Sequence, residues 1–109
     1  MVTAKPSLSR SDILALVEAR HPEPRSLLGY HEVGREDELP LCLVRALEPD
    51  AERVEVCWED GASPTALKRI HAAGLFEGRV PFRRPLHPYR LRVHYRDGHE
   101  ITRHDAYYF

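Results

Sequence analysis

An all-β sandwich with one short helix in front is the fold this sequence predicts, and three observations predict it. Tyr89, Leu91, Val93 and Tyr95 alternate with Arg90, Arg92 and His94, the period of a strand with one buried and one wet face. About six such short segments follow one another, separated by turn residues. The single helical pattern stands at the front, so the strands do not alternate with helices as a parallel sheet requires.

Residues 1–8 carry no pattern and read as a loose tail. Residues 9–20 read as the helix: Ser9 with Asp12 three positions on resembles a capping box, and Ile13, Leu14, Leu16 and Val17 form an apolar stripe. The rest, 21–109, is expected to form the sandwich, in one structural domain overall. Pro22 and Pro24 prevent helix from His21 to His31, which is read as a structured connection. Glu32 to Pro40 reads as an acidic loop, with the sheet beginning at Leu41. Leu41 to Leu47 is apolar on both faces except at Arg45, which predicts a central strand. A turn over Glu48-Pro49-Asp50-Ala51-Glu52 leads to Arg53–Trp58, in which Val54, Val56 and Trp58 share a phase. Ala66–His71 is a weaker strand, and Leu75–Pro81 the next, with Phe76, Gly78, Val80 and Phe82 in phase.

Tyr89 opens the last hairpin. A two-residue loop would turn Ile101 to the wet face opposite His94. A three-residue loop of Arg96, Asp97 and Gly98, with Gly98 left-handed, sets Ile101 opposite Val93, where a buried isoleucine belongs. The chain closes on Asp105-Ala106-Tyr107-Tyr108-Phe109, and three aromatics there predict that more chain follows to bury them.

The 109 residues carry a net charge of −1, 42% hydrophobic and 30% charged residues. Such a chain buries enough surface to fold unaided, and its charge argues against a dedicated nucleic-acid binder. Its apolar runs fall far short of the roughly 20 residues a membrane helix needs, so the cytoplasm is the expected location. Cys42 and Cys57 are too few for a disulfide framework and lack metal-ligand spacing.

Several segments together resemble the first N-terminal domain of bacterial 1,4-α-glucan (glycogen) branching enzymes. His21-Pro22-Glu23-Pro24 with Leu28-Gly29 and His31 is similar to that family's His-x-Asp-Pro-Phe-x-x-Leu-Gly-x-His signature. The likeness continues through Val44-Arg45-Ala46-Leu47, Pro49-Asp50-Ala51 and Val54, then Gly74-Leu75-Phe76-Glu77-Gly78 and Tyr89-Arg90-Leu91. It closes on Asp105-Ala106-Tyr107-Tyr108-Phe109, similar to the family's Asp-Pro-Tyr-x-Phe. Glu23, Arg25 and Ala106 depart from the usual Asp, Phe and Pro, and the missing ring at position 25 removes whatever packing or glucan contact it provides. The resemblance implies an immunoglobulin-like sandwich related to carbohydrate-binding modules, with the active site elsewhere in the parent. Retaining transglycosylation uses two carboxyl groups about 5 to 5.5 Å apart. In that family they lie in a barrel of roughly 250 residues.

The acidic runs Glu36-Asp37-Glu38 and Glu59-Asp60 read as solvated loop charges rather than a catalytic pair. His94, His99 and His104 do not converge on a metal, because the three-residue loop sets His99 in the phase of Tyr95, His94 on the other face and His104 opposite Arg90. No cofactor is expected. Six arginines between Arg79 and Arg96 read as a wet face neutralised by the acidic half of the domain, with docking to the parent chain as the second choice. Sugar recognition needs an aromatic platform beside polar groups. Trp58 is the first candidate, although its phase also suits the core, followed by Phe82 and Tyr107. The expected role is an accessory domain, monomeric in isolation, that assists α-glucan handling or chain-length selection beside the catalytic barrel. The alternative is an interdomain or protein-interaction module that packs on that barrel or a partner without binding sugar.

Overall fold

In the computed structural model, residues 8–18, 27–81 and 88–105 are described. They form an all-β sandwich of two four-stranded antiparallel sheets with one short helix, α1 (Arg10–Val17). The first sheet has the order β1 (Gly29–Glu36), β2 (Leu39–Leu47), β6 (Leu75–Val80), β5 (Lys68–His71). The second runs β4 (Thr65–Ala66), β3 (Ala51–Trp58), β7 (Tyr89–Tyr95), β8 (Glu100–His104).

Ser9 caps α1: its hydroxyl accepts from the Asp12 N–H at 3.1 Å, satisfying one of the donors a helix start leaves open. Leu16 then packs with Leu28 and Leu75, surrounded by Ile13, Val17, Leu47 and Ile70. The helix thereby covers the outer face of the first sheet. This is why β2 is apolar on both sides: Cys42, Val44 and Ala46 face the second sheet, while Leu47 faces the helix. Arg45, on the outer side, is buried but paired, donating to Glu77 at 2.9 Å and to the Leu27 carbonyl at 3.2 Å.

Between the sheets lies the main core. Val54, Val56, Trp58, Tyr89, Leu91 and Val93 from the second sheet meet Cys42, Val44, Ala46, Phe76 and Val80 from the first. Register aligns the inward residues: Val54 faces Val93, Val56 faces Leu91 and Trp58 faces Tyr89. Each buried side chain of this size contributes roughly 1.5–3 kcal/mol, so this layer dominates the stability.

Glu32–Pro40 is not the acidic loop expected. Its residues complete β1 and enter β2, and Glu36 pairs with Leu39 across the two-residue turn Asp37-Glu38. Both turn residues have positive φ, 51° and 65°, as the favoured hairpin twist requires. The usual Asn-Gly signal is absent, so the turn is not legible as one. Ala66–His71 likewise divides. β4 pairs with β3 and β5 with β6, and Leu67, buried, carries the chain from one sheet to the other while its N–H donates to the Val54 carbonyl at 2.9 Å. Gly78 makes room for this crossing, since a Cβ there would lie 2.5 Å from Leu67 Cδ2.

The last hairpin has the expected register, with Val93 opposite Ile101, a three-residue loop and Gly98 at φ 98°. Ile101, however, remains 40% exposed, because β8 is an edge strand and its inward face is incompletely covered.

Candidate functional site

The pairing of Ala51 with Tyr95 in the second sheet sets two connections side by side at one end of the sandwich. One is the Glu48–Ala51 turn, closed by the Ala51 N–H donating to the Glu48 carbonyl at 3.1 Å, with Pro49 and Asp50 at its corners. The other is the β7–β8 loop. Between them lies a groove of about 410 Å³ lined by Asp50, Tyr95, Arg96, Asp97 and His99. That volume falls within the usual range for small-ligand sites.

Its aromatic element is a stacked pair. The rings of Tyr95 and His99 have centroids 4.6 Å apart and planes inclined by 21°. Tyr95 is half-buried with one side against the core, whereas the His99 side chain is largely exposed. Loop geometry fixes the imidazole: the His99 backbone N–H donates to Asp97 Oδ1 at 3.1 Å, and Nδ1–H donates to the same oxygen at 2.6 Å. The backbone bond first, and the ring bond second, hold the Asp97 carboxyl below its ordinary value. With Nδ1 committed, Nε2 is the ring atom left to address a ligand. Asp50 and Asp97 supply acceptors and Arg96 a fork of donors. A stacking surface with mixed acceptors and donors suits a neutral, hydroxyl-rich molecule with an apolar face.

Trp58, the first sequence candidate, is elsewhere. Its side chain is buried in the core at 5% exposure, with its ring 5.6 Å from that of Tyr89 at 64°, an edge-to-face contact. Tyr89 in turn donates to Asp105 Oδ2 at 2.6 Å within the core. A ligand has no open ring face to stack upon there. Phe82 and Tyr107 lie outside the described residues. Tyr95 and His99 had a sequence signal, their shared phase in the three-residue loop. Asp50 had none, because its approach depends on the pairing of β3 with β7.

Many of the other charges are paired. On the outer face of the second sheet, His94 Nε2 lies 2.9 Å from Glu55 Oε1 and Nδ1 lies 3.0 Å from Glu100 Oε2. Arg90 meets Glu59 at 3.1 Å and Arg92 meets Glu55 at 3.5 Å. Arg79 pairs with Glu36, and Arg103 with Glu48. Of the arginine-rich stretch, Arg79, Arg90 and Arg92 are thus paired with carboxylates lying between Glu36 and Glu59, and His94, His99 and His104 lie at separate places. Among the described residues, no group of three or more His, Cys, Asp or Glu side chains is arranged to hold a metal ion. No helix of the described residues is long and apolar enough to cross a membrane. Burial pushes the thiols of both Cys42 and Cys57 up, away from the reactive thiolate.

A second hollow, of about 210 Å³, lies beside the tip of the β1–β2 hairpin, lined by Glu36, Asp37, Leu39, Pro40, Arg79 and Pro81 among others. Leu39 is 59% exposed there.

Comparison with known proteins gives a consistent answer. Among curated relatives, the chain is 39% identical over 100 residues to the 1,4-alpha-glucan branching enzyme GlgB of Burkholderia cenocepacia, covering 92% of this chain and 13% of that enzyme. It is 44% identical over 101 residues to the GlgB of Paraburkholderia xenovorans, covering 90% of this chain and 12% of the relative. With the GlgB of Rhodopseudomonas palustris it shares 42% identity over 86 residues, 79% of this chain and 11% of the relative. The chain therefore spans about one-eighth of the length of these relatives. Residues 9–107 match the family described as alpha-1,4-glucan branching enzyme GlgB, N-terminal domain. The chain belongs to that family of branching-enzyme N-terminal domains.

Proposed function

We propose that this domain is a non-catalytic accessory module of a glycogen branching enzyme, and that it assists glucan handling or chain-length selection by holding a short stretch of α-glucan in the Tyr95–His99 groove. The observation that carries this reading is the stacked Tyr95–His99 pair flanked by Asp50, Asp97 and Arg96. Glucose presents apolar ring faces to aromatic surfaces and hydroxyls to carboxylates and guanidinium groups. The transfer of α-1,4-linked segments to 6-hydroxyls is assigned to a barrel elsewhere in the parent chain, which this domain serves.

The test is a backbone amide titration of the chain with maltoheptaose. Localised, saturable shifts are expected at Asp50, Tyr95, Arg96, Asp97 and His99, and His99→Ala is expected to weaken the affinity about tenfold, the equivalent of one lost stacking or hydrogen-bonding contact. Absence of shifts at millimolar sugar would remove the glucan reading.

The hairpin-tip hollow favours a second reading, in which the domain docks against the rest of the enzyme and binds no sugar. An exposed Leu39 beside Pro40, Val80 and Pro81 suits a protein contact. Hydrogen exchange separates the two: docking there predicts slower exchange of the Leu39 and Val80 amides in the full-length enzyme than in the isolated domain.

A further inference from the structure

Glu48 and Arg103 lie outside the groove lining, yet each belongs to one of its two walls. Glu48 begins the turn that presents Asp50. Arg103 is on β8, the return strand of the hairpin that carries Tyr95 and His99, and it faces inward, opposite Leu91. Their side chains meet as an ion pair, with the Glu48 carboxylate buried. A buried carboxylate is strongly unfavourable unless it is paired, so Glu48 is held to Arg103 wherever β8 stands.

The turn is also bound along its backbone. The Glu48 N–H donates to the Gly74 carbonyl at 2.7 Å, and the Arg69 guanidinium donates to the Ala51 carbonyl. Arg69 itself lies over the Phe76 ring at 4.9 Å, which fixes its direction. These contacts tie the Asp50 turn to the first sheet. Among the contacts described, Glu48–Arg103 is the side-chain ion pair that ties it to the hairpin of the opposite wall.

We infer that Glu48 and Arg103 are positioning residues that hold the Asp50 wall and the Tyr95–His99 wall at a fixed separation, so that the groove is pre-formed for its ligand. The inference rests on the glucan-binding reading for its ligand but not for its geometry. A pre-formed groove avoids ordering its walls at the moment of binding, so loosening the pair lowers affinity without touching the sugar.

The test compares the native chain with Glu48→Gln, Arg103→Gln, the double variant Glu48→Gln/Arg103→Gln and the conservative Arg103→Lys. Three readouts are taken well below each Tm: maltoheptaose Kd, exchange rates of the Ala51 and His99 amides, and Tm itself. Each glutamine variant is expected to raise Kd about tenfold and to speed exchange at Ala51. The double variant is expected to be no worse than the weaker single, because both remove one interaction. Arg103→Lys, which keeps the charge, is expected to bind within about threefold of the native chain and to cover the case in which a glutamine variant does not fold. A lowered Tm with unchanged Kd and unchanged Ala51 exchange would overturn the inference and leave the pair a stability element. If the native chain shows no sugar binding, the glucan reading fails by itself, and the Ala51 exchange rates still decide whether the pair braces the turn.

Discussion

Gly74 has φ 102°, and a Cβ there would lie 2.4 Å from the Glu48 carbonyl oxygen and 2.5 Å from Pro49 Cα. Both contacts are backbone, so neither relaxes by a side-chain rotation. Gly74→Ala is therefore expected to destabilise the chain by more than about 2 kcal/mol, read from the urea midpoint, and to disturb the Asp50 turn. A different residue governs the acid response. The hydrogen bond from His94 first, and the charge of Arg92 after it, hold the Glu55 carboxyl below its ordinary value of 4.5 against the opposing effect of burial. A carboxyl depressed in the folded state contributes stability that is complete above the unfolded value and lost as pH falls through the folded one. His94→Ala should therefore reduce the steepness of the stability loss below about pH 4.5, in urea titrations from about pH 3 to about pH 7.

At the scale of elements, legibility followed how local the signal was. The last hairpin was readable because alternation, a glycine and one apolar residue together fix a register. The inference that Ile101 is buried did not follow from that register, since burial at an edge strand depends on what the opposite sheet places over it. The first hairpin was unreadable because Asp37-Glu38 is an uncommon pair for a turn with two positive φ values. That mismatch carries a prediction: Asp37→Asn with Glu38→Gly should stabilise the chain by about 1 kcal/mol, seen as a higher urea midpoint with an unchanged slope. The split of β4 from β5 was equally hidden, because Leu67 looks like any apolar strand residue until Val54 and Gly78 are placed around it. The groove combines both cases. Tyr95 and His99 share a strand-local phase, whereas Asp50 reaches them through a pairing between residues 44 positions apart, Ala51 and Tyr95.

For the molecule as a whole, three layers share two cores through two strands, β6 giving Phe76 and Val80 to one and Leu75 to the other. β2 contributes Val44 and Ala46 to the inter-sheet core and Leu47 to the layer under the helix, so the helix and the sandwich are expected to unfold together. Leu16→Ala should cost about 2–3 kcal/mol and lower a single transition rather than create a second one. The sequence contains one tryptophan, Trp58, and it lies in the inter-sheet core. Its fluorescence and the far-ultraviolet dichroism should therefore follow the same curve. The crossing at Leu67 has a further result. It stitches β4 to β5 along one flank, while β1 and β8, on the opposite flank, belong to different sheets with no such short link. The sandwich is bound like a book, with Leu67 in the spine and Ile101 at the open margin. Thermal breathing should part the pages at the Ile101 margin first, sparing the amides near Leu67, and the Glu48–Arg103 pair is the clasp that limits how far the groove's hairpin follows.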